Sequence, residues 1–184
     1  EEGKWRMDIG TVGSGARIRH VAACPDISPV DCSKEDIPEH WHDQRLILGR
    51  LQIGWELGLG KGFQIQAILP VDLKGSRIEY TDMDGNEYTP PYAGIHHRNE
   101  TLVGLGDARI MASQVRAVGK QGALAIRLGT TLPLGRTEEN PYLLGMQSKE
   151  HQHFQFGTGT FMPTANVSLF LRKDRWGLQA WTGG

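Results

Sequence analysis

Positions 47–73 alternate between apolar and polar residues with a period of two. Ile47, Leu51, Ile53, Trp55, Leu57 and Leu59 share one parity, with Gly49 among them. Arg50, Gln52, Gly54, Glu56, Gly58 and Gly60 hold the other. After Lys61 and Gly62 the pattern restarts, with Phe63, Ile65, Ala67, Leu69, Val71 and Leu73 set against Gln64, Gln66 and Asp72. A helix of period 3.6 would scatter both sets around its circumference, whereas a strand sends them to opposite faces. These runs predict two strands well beyond the ordinary length of about five or six residues.

The same alternation recurs elsewhere. Trp5, Met7 and Ile9 begin a first strand. The stretch 102–118 reads as one strand, with Leu102, Gly104, Gly106, Ala108, Ile110 and Ala112 on one face and Asp107, Arg109 and Ser113 on the other. Leu124, Ile126, Leu128, Leu132 and Leu134 alternate with Arg127, Gly129 and Thr131. Ala165, Val167, Leu169 and Leu171 oppose Asn166 and Ser168, and Trp176, Leu178 and Ala180 share a face of the last segment. Seven strands follow from this pattern.

Connections alternate too. Long polar stretches at about 19–44, 75–100 and 135–153 take turns with short ones at 60–62, 119–122 and 172–175. A soluble sandwich does not require every long loop at one end, but an outer-membrane barrel has short periplasmic turns and long outer loops. The expected fold is therefore all-β, an antiparallel up-and-down transmembrane β-barrel forming one domain over residues 1–184. A soluble sheet pair, with the apolar faces packed together, fits the alternation alone equally well. Trp5, Trp176 and Trp181 lie near strand ends, where an aromatic girdle belongs. Seven is an odd number, and a barrel in lipid must close. The expectation is thus an N-terminal part of a larger, even-stranded barrel, and the opening Glu1-Glu2 fits a processed chain.

Composition narrows the field. The 184 residues include 24 glycines, about twice the usual share of ~7%, which suits tight turns and strands over helices. Twenty basic against 21 acidic side chains leave a formal charge of −1, so nucleic acid is not an expected partner. Mean hydropathy is −0.39 and no run nears 18 apolar residues, so no transmembrane helix is predicted; a lipid-facing strand needs only half its residues apolar. Cys24 and Cys32 are spaced for a disulfide closing a short loop, hence an oxidising compartment; two free thiols are the alternative.

In a barrel the polar parity lines a lumen. The expected lumen residues are Arg50, Gln52, Glu56, Gln64, Gln66, Asp72, Asp107, Arg109, Arg127 and Asn166. Six of the seven histidines form three pairs, His40/His42, His96/His97 and His151/His153, each placed in a long loop. Imidazoles at i and i+2 of an extended chain point the same way and could hold a divalent ion such as zinc or copper. Three pairs on one rim make a candidate metal site. The segment 81–87 starts like a calcium loop, but Ala93 stands where the closing glutamate belongs, so Asp84-Gly85 reads as a hairpin tip. Ser14 near His20 and Ser148 near His151 lack a nucleophile elbow and an orienting acid, so no enzyme is expected.

Gly104-Leu105-Gly106-Asp107 with Arg109, Leu132-Pro133-Leu134-Gly135, and His151-Gln152-His153-Phe154-Gln155-Phe156-Gly157-Thr158-Gly159-Thr160 before Pro163 occur in this order. Over residues 100–170 this resembles the outer-membrane "transporter" family grouped with meta-pathway phenol-degradation proteins. The resemblance implies a longer barrel in the bacterial outer membrane that passes small solutes and has no defined catalytic centre. Membrane lipid and a small-molecule solute are the expected partners. A surface metal-binding protein, or a structural barrel docking partner subunits, are the competing readings.

Overall fold

The computed structural model describes residues 3–22, 37–94, 98–147, 149–151 and 153–183. Cys24, Cys32, His96 and His97 lie outside them, and so do the disulfide and one histidine pair expected there. Eight antiparallel strands form a single sheet curled into a half-barrel. They are β1 (Trp5–Ala22), β2 (His40–Gly60), β3 (Phe63–Asp82), β4 (Glu100–Leu105), β5 (Ala108–Val118), β6 (Gly122–Leu132), β7 (Pro163–Lys173) and β8 (Trp176–Gly183). One short helix, α1 (Pro141–Met146), begins at Pro141, and the Asn140 side chain caps it by accepting from the Tyr142 N–H at 3.0 Å.

The order is a plain meander, β1-β2-β3-β5-β6-β7-β8, with β4 beside β3. Lys61 and Asp174 adopt left-handed φ of 51° in the short turns, flanked in the first by Gly60 at 88° and Gly62 at 82°. A Cβ on Gly62 would sit 2.2 Å from the Val115 carbonyl oxygen, so this turn needs glycine for both reasons. The three short turns share one end of the sheet, and the strand ends at Ala22, His40, Asp82, Glu100, Leu132 and Pro163 share the other.

Eight strands replace the expected seven because 102–118 is not continuous. Val71 pairs with Leu105, whereas Ile68 pairs with Arg109. Three steps along β3 thus correspond to four along its partner. The extra residue, at Gly106-Asp107, is a bulge, and it reverses the face of everything beyond it. Val103 and Leu105 face outward with Leu73 and Val71, while Leu102 and Gly104 face inward. In β5 the outward parity is Ile110 and Ala112. The single face expected for Leu102, Gly104, Ala108 and Ile110 does not exist.

Strands also run further than apolar alternation indicated. β1 continues to Ala22, β2 starts at His40 and β3 reaches Asp82, so the first two long loops are shorter than expected. His40 and His42 are strand residues, not loop residues. These extensions are largely polar, pair across the ladder and carry cross-strand ion pairs such as Arg45–Glu79 at 3.7 Å.

Little apolar core exists between layers. Among the described residues the buried apolar side chains include Ile78, Tyr92, Ala108, Met111, Ala125, Phe156 and Pro90. Most of the large apolar residues on the strands face outward and are exposed, among them Trp5 at 74%, Leu128 at 61% and Trp176 at 73%. Trp5 and Trp176 stand outward beside the short turns. Trp181 does not join them, since it pairs with Ser168 on the inner face.

Candidate functional site

The register assigns each polar position to a face. Arg50 opposes Asp72, Gln52 opposes Pro70, and Glu56 opposes Gln66. Gln64 opposes Ser113, which in turn opposes Arg127, which opposes Asn166. Together with Arg109 these side chains lie on the concave face, where cross-strand neighbours bond to one another. Arg50 donates to both Asp72 oxygens at 2.5 and 2.8 Å. Ser113 donates to Gln64 at 3.2 Å. Arg127 donates to Asn166 Oδ1 at 3.2 Å and to Ser168 Oγ at 2.9 Å. Arg6 and Glu56 form an ion pair at 3.2 Å.

Asp107 behaves differently. It sits in the bulge, and its carboxylate accepts from the Gly135 N–H at 3.0 Å and from the Thr158 N–H and hydroxyl, both at 2.8 Å. It therefore clamps both ends of the 133–162 loop. That loop joins β6 to β7, yet its tip lies over β3 and β4. The Phe156 N–H donates to the Arg136 carbonyl at 2.8 Å, and the Phe156 ring is buried against Gly104, where an added Cβ would stand 3.0 Å from it. Lys74 Nζ donates to the Gln155 carbonyl and lies 5.2 Å from the Phe156 centroid, with the Arg136 guanidinium at 5.8 Å. Such cation–ring contacts reward a desolvated aromatic face. Phe154 closes over Val12, Ser14, Leu48, Arg50 and Lys74 on a cleft of about 390 Å³. The loop thus crosses the trough from β6–β7 to β1–β3 and narrows it beside the Arg50–Asp72 pair.

A second cluster stands at the long-loop end. His40 is fully buried; its Nδ1 bonds the Pro38 carbonyl at 2.8 Å and its Nε2 the Tyr92 hydroxyl at 2.7 Å. A carbonyl only accepts, so Nδ1 carries the proton and Tyr92 donates. Burial, with Tyr80 and Tyr88 nearby, pushes the Tyr92 hydroxyl up to about 12. His42 stacks on Tyr80 at 5.1 Å between centroids and donates from Nδ1 to His20 Nε2 at 3.1 Å, while His20 Nδ1 bonds the Val21 carbonyl at 3.1 Å. Burial first, then the closeness of the His20 and His40 imidazoles, lowers the His42 pKa from its ordinary value.

His40 and His42 do point the same way, but they do not share one vacant space: both nitrogens of His40 are engaged, and His42 turns to His20 across the ladder. His151 and His153 meet edge to face at 5.1 Å between centroids, with His151 Nδ1 on the Lys149 carbonyl at 2.9 Å. Among the described residues no three His, Cys, Asp or Glu are gathered around one point. Ser14 and His20 are six residues apart on one strand, and His20 is engaged as above. Asp82 accepts from Asn86 N–H at 2.8 Å and Nδ2 at 2.9 Å, closing the hairpin tip at Gly85.

Sequence reading missed the Tyr80–Tyr88–Tyr92 cluster, the His20–His42 contact and the inward loop. The last had a visible signal: glycines at 104, 106, 135 and 157 leave room for Phe156 and its neighbours. In comparisons with known protein families, curated proteins and solved structures, nothing matched this chain.

Proposed function

We propose that this protein is an outer-membrane channel that passes small polar solutes along the concave face of its sheet. The observation that carries this reading is the separation of chemistry between the two faces. On β1, β2 and β3 the outward positions from the short-turn end up to the row Gly15, Ile47 and Gly75 hold no charged residue. The inward positions of the same strands hold Arg6, Asp8, Arg50, Glu56, Asp72 and Lys74. Outward positions 47–59, at about 3.3 Å per residue and a tilt of about 45°, span about 28 Å, near the ~25 Å apolar band of a barrel. Water on this exposed apolar face is costly, at about 25 cal/mol per Å²; acyl chains remove that cost.

The trough offers hydrogen-bonding groups that replace a solute's hydration, and the 133–162 loop makes its narrowest part. Paired charges there (Arg50 with Asp72) and the Lys74 ammonium bias which solutes pass. β1 and β8 pair on one side only among the described residues, and a sheet in lipid cannot leave such edges open. Closure by further strands is therefore part of the proposal.

Reconstitution of the closed assembly into planar bilayers tests it. Discrete ionic currents are expected. A chain that stays folded and monomeric in buffer without detergent, and adds no conductance, would falsify the reading.

A further inference from the structure

The edge of the apolar band carries a feature that solute passage does not use. Arg17, Arg45 and Arg77 are direct cross-strand partners on β1, β2 and β3. They face outward, one row beyond Gly15, Ile47 and Gly75, where the apolar band stops. Side chains of Arg17 and Arg45 are 59% and 53% exposed, and Arg77 is exposed as well. Like charges placed directly opposite each other destabilise a sheet. The next row, Arg19, Asp43 and Glu79, answers this only in part. Asp43 binds Arg17, with Nε to Oδ1 at 2.9 Å, and Glu79 approaches Arg45 at 3.7 Å. Arg77 has no carboxylate within ion-pair distance among the described residues. Arg19 is laid over the Trp41 ring at 4.4 Å. Four guanidinium groups thus meet two carboxylates on this belt.

We infer that this row is a binding site for the phosphate of a phosphorylated lipid headgroup in the leaflet at the long-loop end. The inference rests on the membrane reading above and adds a lipid class and a site to it. Three guanidinium groups at a strand spacing of about 4.8 Å form a fork-rich rail suited to phosphate oxygens. The apolar face begins one row below, so a lipid whose acyl chains lie on Ile47 and Leu73 puts its headgroup at the arginines. A free phosphate would gain only the polar half of that fit.

The test uses the purified protein with its sheet closed by the further strands proposed above, in two assays. Insertion into phosphatidylcholine vesicles reads the membrane proposal alone. Native mass spectrometry from micelles then reads retention of phosphatidic acid against phosphatidylcholine. Wild type should enter the neutral vesicles and retain phosphatidic acid selectively, with retention about fivefold weaker for Arg77→Gln and lost in the triple change Arg17→Gln, Arg45→Gln, Arg77→Gln. Glu79→Gln, which frees Arg45, should strengthen retention, so the inference stays testable if the triple variant does not fold. Normal insertion with no preference for phosphatidic acid, or a preference unmoved by Arg77→Gln and Glu79→Gln, overturns the lipid site and leaves the channel standing. Displacement by equimolar inorganic phosphate overturns the lipid as the source of the phosphate. Failure of wild type to enter neutral vesicles overturns both proposals.

Discussion

Arg50 on β2 and Asp72 on β3 stand directly opposite each other and are joined by two hydrogen bonds, but they are buried to different depths. The Asp72 side chain is 3% exposed and that of Arg50 is 39% exposed. Removing either partner therefore has unequal consequences. Arg50→Gln strands a buried carboxylate and is expected to cost about 3 kcal/mol. Asp72→Asn leaves a guanidinium that can reach water and is expected to cost about 1 kcal/mol. Denaturant titration in micelles compares the two, and equal losses would contradict the asymmetry. In bilayers, Asp72→Asn should also move the reversal potential toward anions.

The inward loop is held by Asp107 and seated by Phe156. Asp107→Ala removes three hydrogen bonds at once, and Gly104→Val crowds the Phe156 ring from below. Both changes are expected to release the 133–162 loop, raising single-channel conductance and speeding proteolysis within the loop. Unchanged conductance in both variants would mean that the loop does not define the narrowest point.

Outward positions carry a depth dependence. Ile53 is midway along the apolar run of β2, whereas Leu57 lies nearer the short turn. Ile53→Arg is expected to cost about 2–4 kcal/mol in membrane assembly, and Leu57→Arg less. Folding yield into vesicles measures both. A sheet that packs its apolar face against protein would show no such gradient with depth.

His42 gives a pH test beyond the apolar band. Its pKa is lowered in the folded protein by burial and by neighbouring histidines. Below pH 6.5 the unfolded chain therefore binds more protons than the folded one, and stability falls as pH drops. Thermal unfolding between pH 8 and pH 5 should show this loss, and His42→Gln should flatten it. A curve unaltered by that change would place the titration elsewhere.

Period-two alternation in 47–73 was sufficient to identify β2, β3 and the turn between them, because parity along a strand is a local property. It also separated Arg50, Gln52, Glu56, Gln64, Gln66, Arg127 and Asn166 from the apolar parity. The strand extensions to Ala22, His40 and Asp82 were not legible, because their stability comes from pairing across the ladder and their few apolar residues, such as Trp41 outside and Ile78 inside, keep no single parity. The bulge at Gly106-Asp107 was likewise hidden. A one-residue register slip leaves the apolar count unchanged and moves Leu102 and Gly104 to the other face.

By itself the sequence determined strand periodicity, the alternation of short and long connections, and two chemically distinct parities on most strands. Those follow from neighbours in the chain. Only the tertiary structure decided that Arg17, Arg45 and Arg77 form one row, that His42 meets His20 rather than His40, and that Phe156 returns to Gly104 across the trough. Each of these depends on which residues stand opposite after strands far apart in sequence have chosen their register, and the strand pattern alone leaves that register open.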